Sequence, residues 1–189
     1  MAKILENLHK TLGAGLALAV VIFLLRHRTI DYAYVTFLFK WLHVLAGILW
    51  IGLLWYFNFV QIPTMPKVPA ELKPAVSKFI APEALFWFRW AALATVVTGL
   101  ITAMFSGYLV SSLTFRAPAT TIGIGMWLAL IMAFNVWFII WPNQQKALGL
   151  VPADDAAKAK AARLAMLVSR TNTMLSIPML YCMVGQKIG

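Results

Sequence analysis

The sequence predicts an all-α integral membrane protein: a compact bundle of five transmembrane helices forming a single membrane domain over residues 1–189. Three observations predict it. Hydrophobic residues make up 62% of the chain and mean hydropathy is +0.82, whereas soluble domains are roughly 45–50% apolar. Several apolar runs approach 20 residues, about the length that ~30 Å of hydrocarbon requires. Most charged residues fall between those runs. The short alternating segments that a membrane barrel needs are missing from the sequence.

A first helix is expected over residues 8–25, rich in Gly and Ala, with His9 and His27 flanking it. Arg26, His27 and Arg28 follow where a cleavable leader would carry small residues, so the run reads as a membrane helix. Asp31 is placed to cap a second helix over 32–61, which Pro63 and Pro66 should end. That helix exceeds the hydrocarbon thickness and must tilt or protrude. Residues 62–83 hold five prolines and Lys67, Lys73 and Lys78, and read as a basic loop with a short interfacial helix around 72–80.

The third helix is expected over 83–108. Thr95, Thr98, Gly99, Thr102 and Ser106 share one face of it, and small residues on a shared face let helices approach closely. Arg89 lies in its first two turns. The fourth, over 120–141, carries Asn135 inside and should stop at Pro142. Residues 143–163 read as a solvated loop with a helical lead-in to the fifth helix, over 164–184. Ser169, Asn172, Thr173, Ser176, Met179 and Met183 share a face there, and Pro178 should kink it.

The net charge of +10 does not mark a nucleic-acid binder, because the basic residues sit mostly between the apolar runs. Lys3, Lys10, Lys67, Lys73, Lys78, Lys146, Lys158, Lys160 and Arg163 fall on one side of a five-helix topology, against Arg26, Arg28, Arg116 and Lys187 on the other. Nine against four places the N-terminus in the cytoplasm and the C-terminus outside. The single cysteine, Cys182, excludes an internal disulfide and a multi-cysteine metal site. No phosphate-binding glycine loop, membrane carboxylate pair or Ser/His/Asp set can be assembled.

The chemistry concentrates in the second helix. At 100° per residue, Lys40, His43, Gly47, Trp50, Leu54, Asn58 and Gln61 share a stripe about 80° wide. A lipid-facing helix has no use for it, and ionisable groups within a bilayer cost at least ~2.5 kcal/mol each on insertion scales. His43 is the one histidine of three inside an apolar segment. Its imidazole can ligate iron, Gly47 leaves room for a flat macrocycle one turn on, and Trp50 would wall it. These residues point to haem b with His43 as the metal ligand, and Lys40, Arg89 or Arg170 as partners for its propionates. The second axial position stays open between none, a methionine (Met132, Met174 or Met179) and an edge histidine. The competing reading is a histidine hydrogen-bonded across helices, with Asn135 and Asn172 as candidate partners.

Three stretches carry a family resemblance. They are Trp41-Leu-His-Val-Leu-Ala-Gly-Ile-Leu-Trp-Ile-Gly52 followed by Tyr56-Phe-Asn-Phe59, then Asn135-Val-Trp-Phe-Ile-Ile-Trp-Pro-Asn-Gln-Gln145, then Ser169-Arg-Thr-Asn-Thr-Met-Leu-Ser-Ile-Pro-Met-Leu180. Together, and in this order, they resemble the urate oxidase N-terminal membrane domain of bacterial urate hydroxylases. The His-x-x-x-Gly-x-x-Trp-x-Gly stretch is more loosely similar to other small membrane haem proteins, including the four-helix type of protoporphyrinogen oxidase. The resemblance implies a bacterial inner-membrane domain working with a c-type cytochrome, with His43, Gly47, Asn135, Arg170 and Asn172 as the matching site positions. Full-length family members carry that cytochrome downstream. This sequence runs to Gly189 without Cys-x-x-Cys-His, so a stand-alone form is expected. Where the family often has a histidine after the last stretch, this chain has Val184-Gly185-Gln186.

The expected function is a small b-type haem membrane subunit for electron transfer, to or from an outer-side cytochrome c or a larger redox complex, rather than a stand-alone enzyme. The alternative is a cofactor-free accessory or assembly subunit, and the third reading is urate oxidation.

Overall fold

The computed structural model describes residues 2–27 and 29–185. Arg28 and Lys187, which enter the charge asymmetry, and Gln186 lie outside them. All regular structure among the described residues is helical. Two units are distinguished, Met1–Leu38 and Phe39–Gly189.

The first unit holds a short turn, Ala2–Leu5, and helix α1, Leu8–Arg26. Asn7 caps α1 by accepting from the Lys10 N–H at 3.1 Å. Helix α1 buries none of its residues, which suits a helix apolar on every side that is solvated by lipid. His9 is exposed on it. His27 follows its C-terminus among Phe23, Tyr34 and Phe37, with its ring 5.4 Å from that of Tyr34. Asp31 begins α2, Tyr32–Lys67, accepting from the Tyr34 N–H at 2.8 Å.

The second unit contains most of α2, then α3 (Lys73–Phe105), α4 (Thr120–Ala147) and α5 (Asp155–Gly185), with a short helix Leu109–Leu113 between α3 and α4. Its core is built from Trp50, Leu54 and Phe57 of α2, Phe88 and Ala92 of α3, Met132 and Val136 of α4, and Met179 of α5.

Of the prolines expected to end helices, Pro66 stands one residue before α2 stops at Lys67, but Pro63 and Pro142 do not end theirs. Pro63 and Pro142 each lie two residues beyond a π-helical turn, Tyr56–Gln61 and Asn135–Ile140, and Pro82 stands in the same relation to Val76–Ile80. In each case the residue before proline reaches back five positions: Ile62 N–H to Phe57 O, Ala81 N–H to Val76 O, Trp141 N–H to Val136 O. A proline clashes with the carbonyl four residues back and has no N–H to offer. Widening the preceding turn moves that carbonyl aside, and the helix continues through.

Helix α5 begins at Asp155 rather than near 164. Asp154 caps it, accepting from the Ala157 N–H at 2.7 Å, and the alanine-rich stretch that follows has high helix propensity. Helices α1 to α4 are long and apolar enough to cross a membrane. The fifth expected helix forms but is not among them, because its polar residues lower its hydropathy. Ser169, Asn172 and Ser176 are all buried, so the polar face turns into the bundle. Glycine sets the α4–α5 distance: a Cβ on Gly125 would stand 2.9 Å from the Cys182 Cβ, which accounts for the buried cysteine as a packing group.

Candidate functional site

The stripe on α2 divides into two regions. Its C-terminal half enters a polar seam. Asn58 Nδ2 donates to Ser169 Oγ at 2.8 Å, and Trp55 Nε1, beside the stripe, donates to Ser176 Oγ at 3.0 Å. Across from them Asn135 Nδ2 donates to Asn172 Oδ1 at 2.8 Å, and Asn172 Nδ2 donates to the Met132 carbonyl at 2.9 Å. Asn172 has no exposed surface. Asn135 and Asn172 are paired with each other and, through Asn172, with backbone, and neither lines the cavity that the rest of the stripe faces. Asn58 also donates to the Leu54 carbonyl, and its Oδ1 has no partner among the described residues. Asn135 and Asn172 therefore clasp α4 to α5, rather than standing in a cofactor pocket as the sequence suggests.

The N-terminal half of the stripe faces a cavity of about 660 Å³, within the usual range for ligand sites. Lys40, His43, Gly47 and Trp50 line it from α2; Thr95, Gly99 and Thr102 from α3; Tyr108 from the turn beyond α3. Met126 of α4 and Met179 and Met183 of α5 contribute thioethers. Val44, Ile48 and Val184 also line it and are exposed, so its mouth is apolar.

His43 is half-buried and held by α3. Its Nδ1 lies 2.8 Å from the Thr95 carbonyl oxygen. A carbonyl only accepts, so Nδ1 carries the proton and Nε2 keeps its lone pair. The ring lies against Gly99, where a Cβ would come within 2.8 Å of Cε1 and 3.0 Å of Nδ1. Histidines that ligate metals are oriented through their other nitrogen in the same way, and so are histidines that only pack one helix on another. The competing reading, a histidine hydrogen-bonded across helices, is met by the bond to α3, with the Thr95 carbonyl as partner in place of Asn135 or Asn172.

Of the three expected cationic partners, Lys40 alone lines the cavity. Arg170 is exposed on α5. Arg89 lies 3.4 Å from the centre of the Trp141 ring and donates to the Leu85 carbonyl at 3.2 Å, so Trp141 and its own helix account for it. Of the methionines considered, Met132 is core and Met174 is exposed; Met179 is at the cavity. Trp50 is fully buried in the wall, with Nε1 lacking an acceptor among the described residues. Among those residues no group of three or more His, Cys, Asp and Glu gathers, so any metal here would lean on one imidazole.

Sequence reasoning missed the seat of His43. Thr95 and Gly99 read as a helix-packing face, and they are one, but what packs there is an imidazole. Tyr108 gave no signal, since it follows the helix by a turn. Burial holds its phenol above the usual range, so it remains an O–H donor through neutral pH.

The family model described as urate oxidase N-terminal matches residues 100–189. The stretches at 135–145 and 169–180 fall inside the match, and the stretch at 41–59 lies before it. No curated protein and no solved structure matches the chain.

Proposed function

Taking residues 100–189 as a urate oxidase N-terminal segment, we propose that the chain is a membrane electron-transfer subunit whose cavity takes one b-type haem at His43. One observation carries the reading: His43 gives Nδ1–H to the Thr95 carbonyl at 2.8 Å and so keeps Nε2 for a ligand, beside an apolar cavity of about 660 Å³. The residues present fit the group. The backbone fixes the imidazole tautomer, Gly99 leaves space for the ring, and Gly47 keeps the α2 wall low. Ile51, Trp50 and Leu130 exclude water. Haem bound there supplies one-electron transfer, tuned by its ligands and burial.

In this reading α5 crosses the bilayer with α1 to α4, its polar face satisfied inside the bundle. The N-terminus is cytoplasmic and the C-terminus periplasmic in a bacterial inner membrane. The cavity then opens in the outer half, within reach of a c-type cytochrome or a larger redox complex. Absorption spectra of the purified chain, oxidised and dithionite-reduced, test this: a Soret band is expected that His43→Ala removes. Colourless, folded wild-type protein would overturn it.

The seam favours a second reading, a cofactor-free accessory subunit, because Asn58, Asn135 and Asn172 pair within the bundle as that reading requires. The same spectra decide between the two. Urate oxidation rests on the family's description alone, and urate-dependent reduction of a cytochrome c by the purified chain tests it.

A further inference from the structure

The cavity has two ends that differ in charge. Helix α2 descends from Lys40 through His43 and Gly47 to Trp50, so Lys40 and Trp50 stand about 15 Å apart along the axis at 1.5 Å per residue. At the Lys40 end the wall carries an ammonium, the Tyr108 phenol and the Thr102 hydroxyl. Thr102 donates to the Thr98 carbonyl at 2.7 Å, which leaves Lys40 and Tyr108 as donors for a ligand. Lys40 is exposed at this end and Tyr108 is half-buried. At the other end stands a single neutral donor, the buried Trp50 Nε1, among Ile51, Ala129 and Met179.

From this asymmetry, and resting on the haem reading above, we propose that the site selects a carboxylate-bearing macrocycle and binds it with the acidic edge at Lys40 and Tyr108. An ionised carboxylate taken out of water is costly unless it is paired and hydrogen-bonded. Lys40 supplies the counter-charge and Tyr108 an O–H, both at the end from which water remains within reach. A pair of carboxylates at Trp50 would meet one indole N–H and no cation. Tyr108 therefore acts as a specificity residue: it orients the acidic edge without touching the iron.

The test loads the purified full-length chain in detergent with haemin or with haemin dimethyl ester, in which both carboxylates are capped. Each affinity is referred to partition of the same compound into protein-free micelles. Charge-assisted hydrogen bonds make the difference about tenfold or more in favour of the diacid. Lys40→Met and Tyr108→Phe should each reduce the preference severalfold, with the Soret maximum unmoved because neither residue ligates iron. Trp50→Phe, which alters the wall for both compounds alike, should change their affinities together and keep the ratio between them. Equal binding of diacid and diester by the wild-type chain overturns this proposal alone, as does a preference lost in Trp50→Phe and kept in the other two. No His43-dependent Soret band with either compound overturns the haem reading and this proposal with it.

Discussion

Gly99→Ala is the sharpest perturbation of the site, because one methyl group acts on the one ring that matters. The new Cβ would lie 2.8 Å from His43 Cε1 and 3.0 Å from Nδ1, whereas carbon atoms rest about 3.5–4.0 Å apart. The ring must retreat by roughly 1 Å. The 2.8 Å bond from Nδ1 to the Thr95 carbonyl then stretches past hydrogen-bond reach. Losing it leaves a half-buried donor unpaired, at about 1–3 kcal/mol. Alanine gains about 0.8–1.0 kcal/mol over glycine within a helix, which offsets part of that loss. Gly13 supplies the control: nothing stands within 4 Å of a Cβ there, so Gly13→Ala takes the helix gain alone. The two variants should therefore differ in stability by about 1–3 kcal/mol, read by thermal unfolding in one detergent. Their spectra should differ too, with the Soret band kept in Gly13→Ala and shifted or lost in Gly99→Ala. Gly99→Ala matching Gly13→Ala in both measurements would refute the account of how His43 is held.

Other substitutions separate the cavity from the seam. Thr95→Val should leave the Soret band in place, since the group that holds His43 is the backbone carbonyl and not the side chain; a lost band would contradict that. Asn172→Leu should destabilise by about 1–3 kcal/mol by leaving the Asn135 amide unpaired, with no spectral change in the protein that folds. Arg170→Gln should alter neither stability nor spectrum, because Arg170 is exposed and lines no part of the cavity. Gly123→Ala should sharply lower the yield of folded protein in size-exclusion profiles, because the new Cβ would run into the backbone carbonyl of Ser112, which cannot rotate away.

The sequence made the helices readable because membrane helices announce themselves by length and apolarity. The start of α2 at Asp31 and the inward face of α5 followed from capping chemistry and 3.6-residue spacing. Helix ends were misjudged at Pro63 and Pro142, where rules for a regular α-helix exclude proline; a π turn two residues upstream removes the clash, and no single residue type signals it. The α2 stripe was legible as a stripe, and Lys40, His43, Gly47 and Trp50 do line one cavity. Its division into cavity and seam was not legible, since one-helix periodicity shows which residues share a face and not what faces them. That is also why Asn135, Arg170 and Asn172 looked like ligand-binding groups. Two of them are partners of α4 and α5, and the third is exposed.

The most direct measurement is the pyridine haemochrome of the purified full-length chain beside His43→Ala and Thr95→Val. One b-type haem per chain is expected in the wild type and in Thr95→Val, and none in His43→Ala. Haem retained in full by His43→Ala, or missing from all three folded proteins, would contradict that.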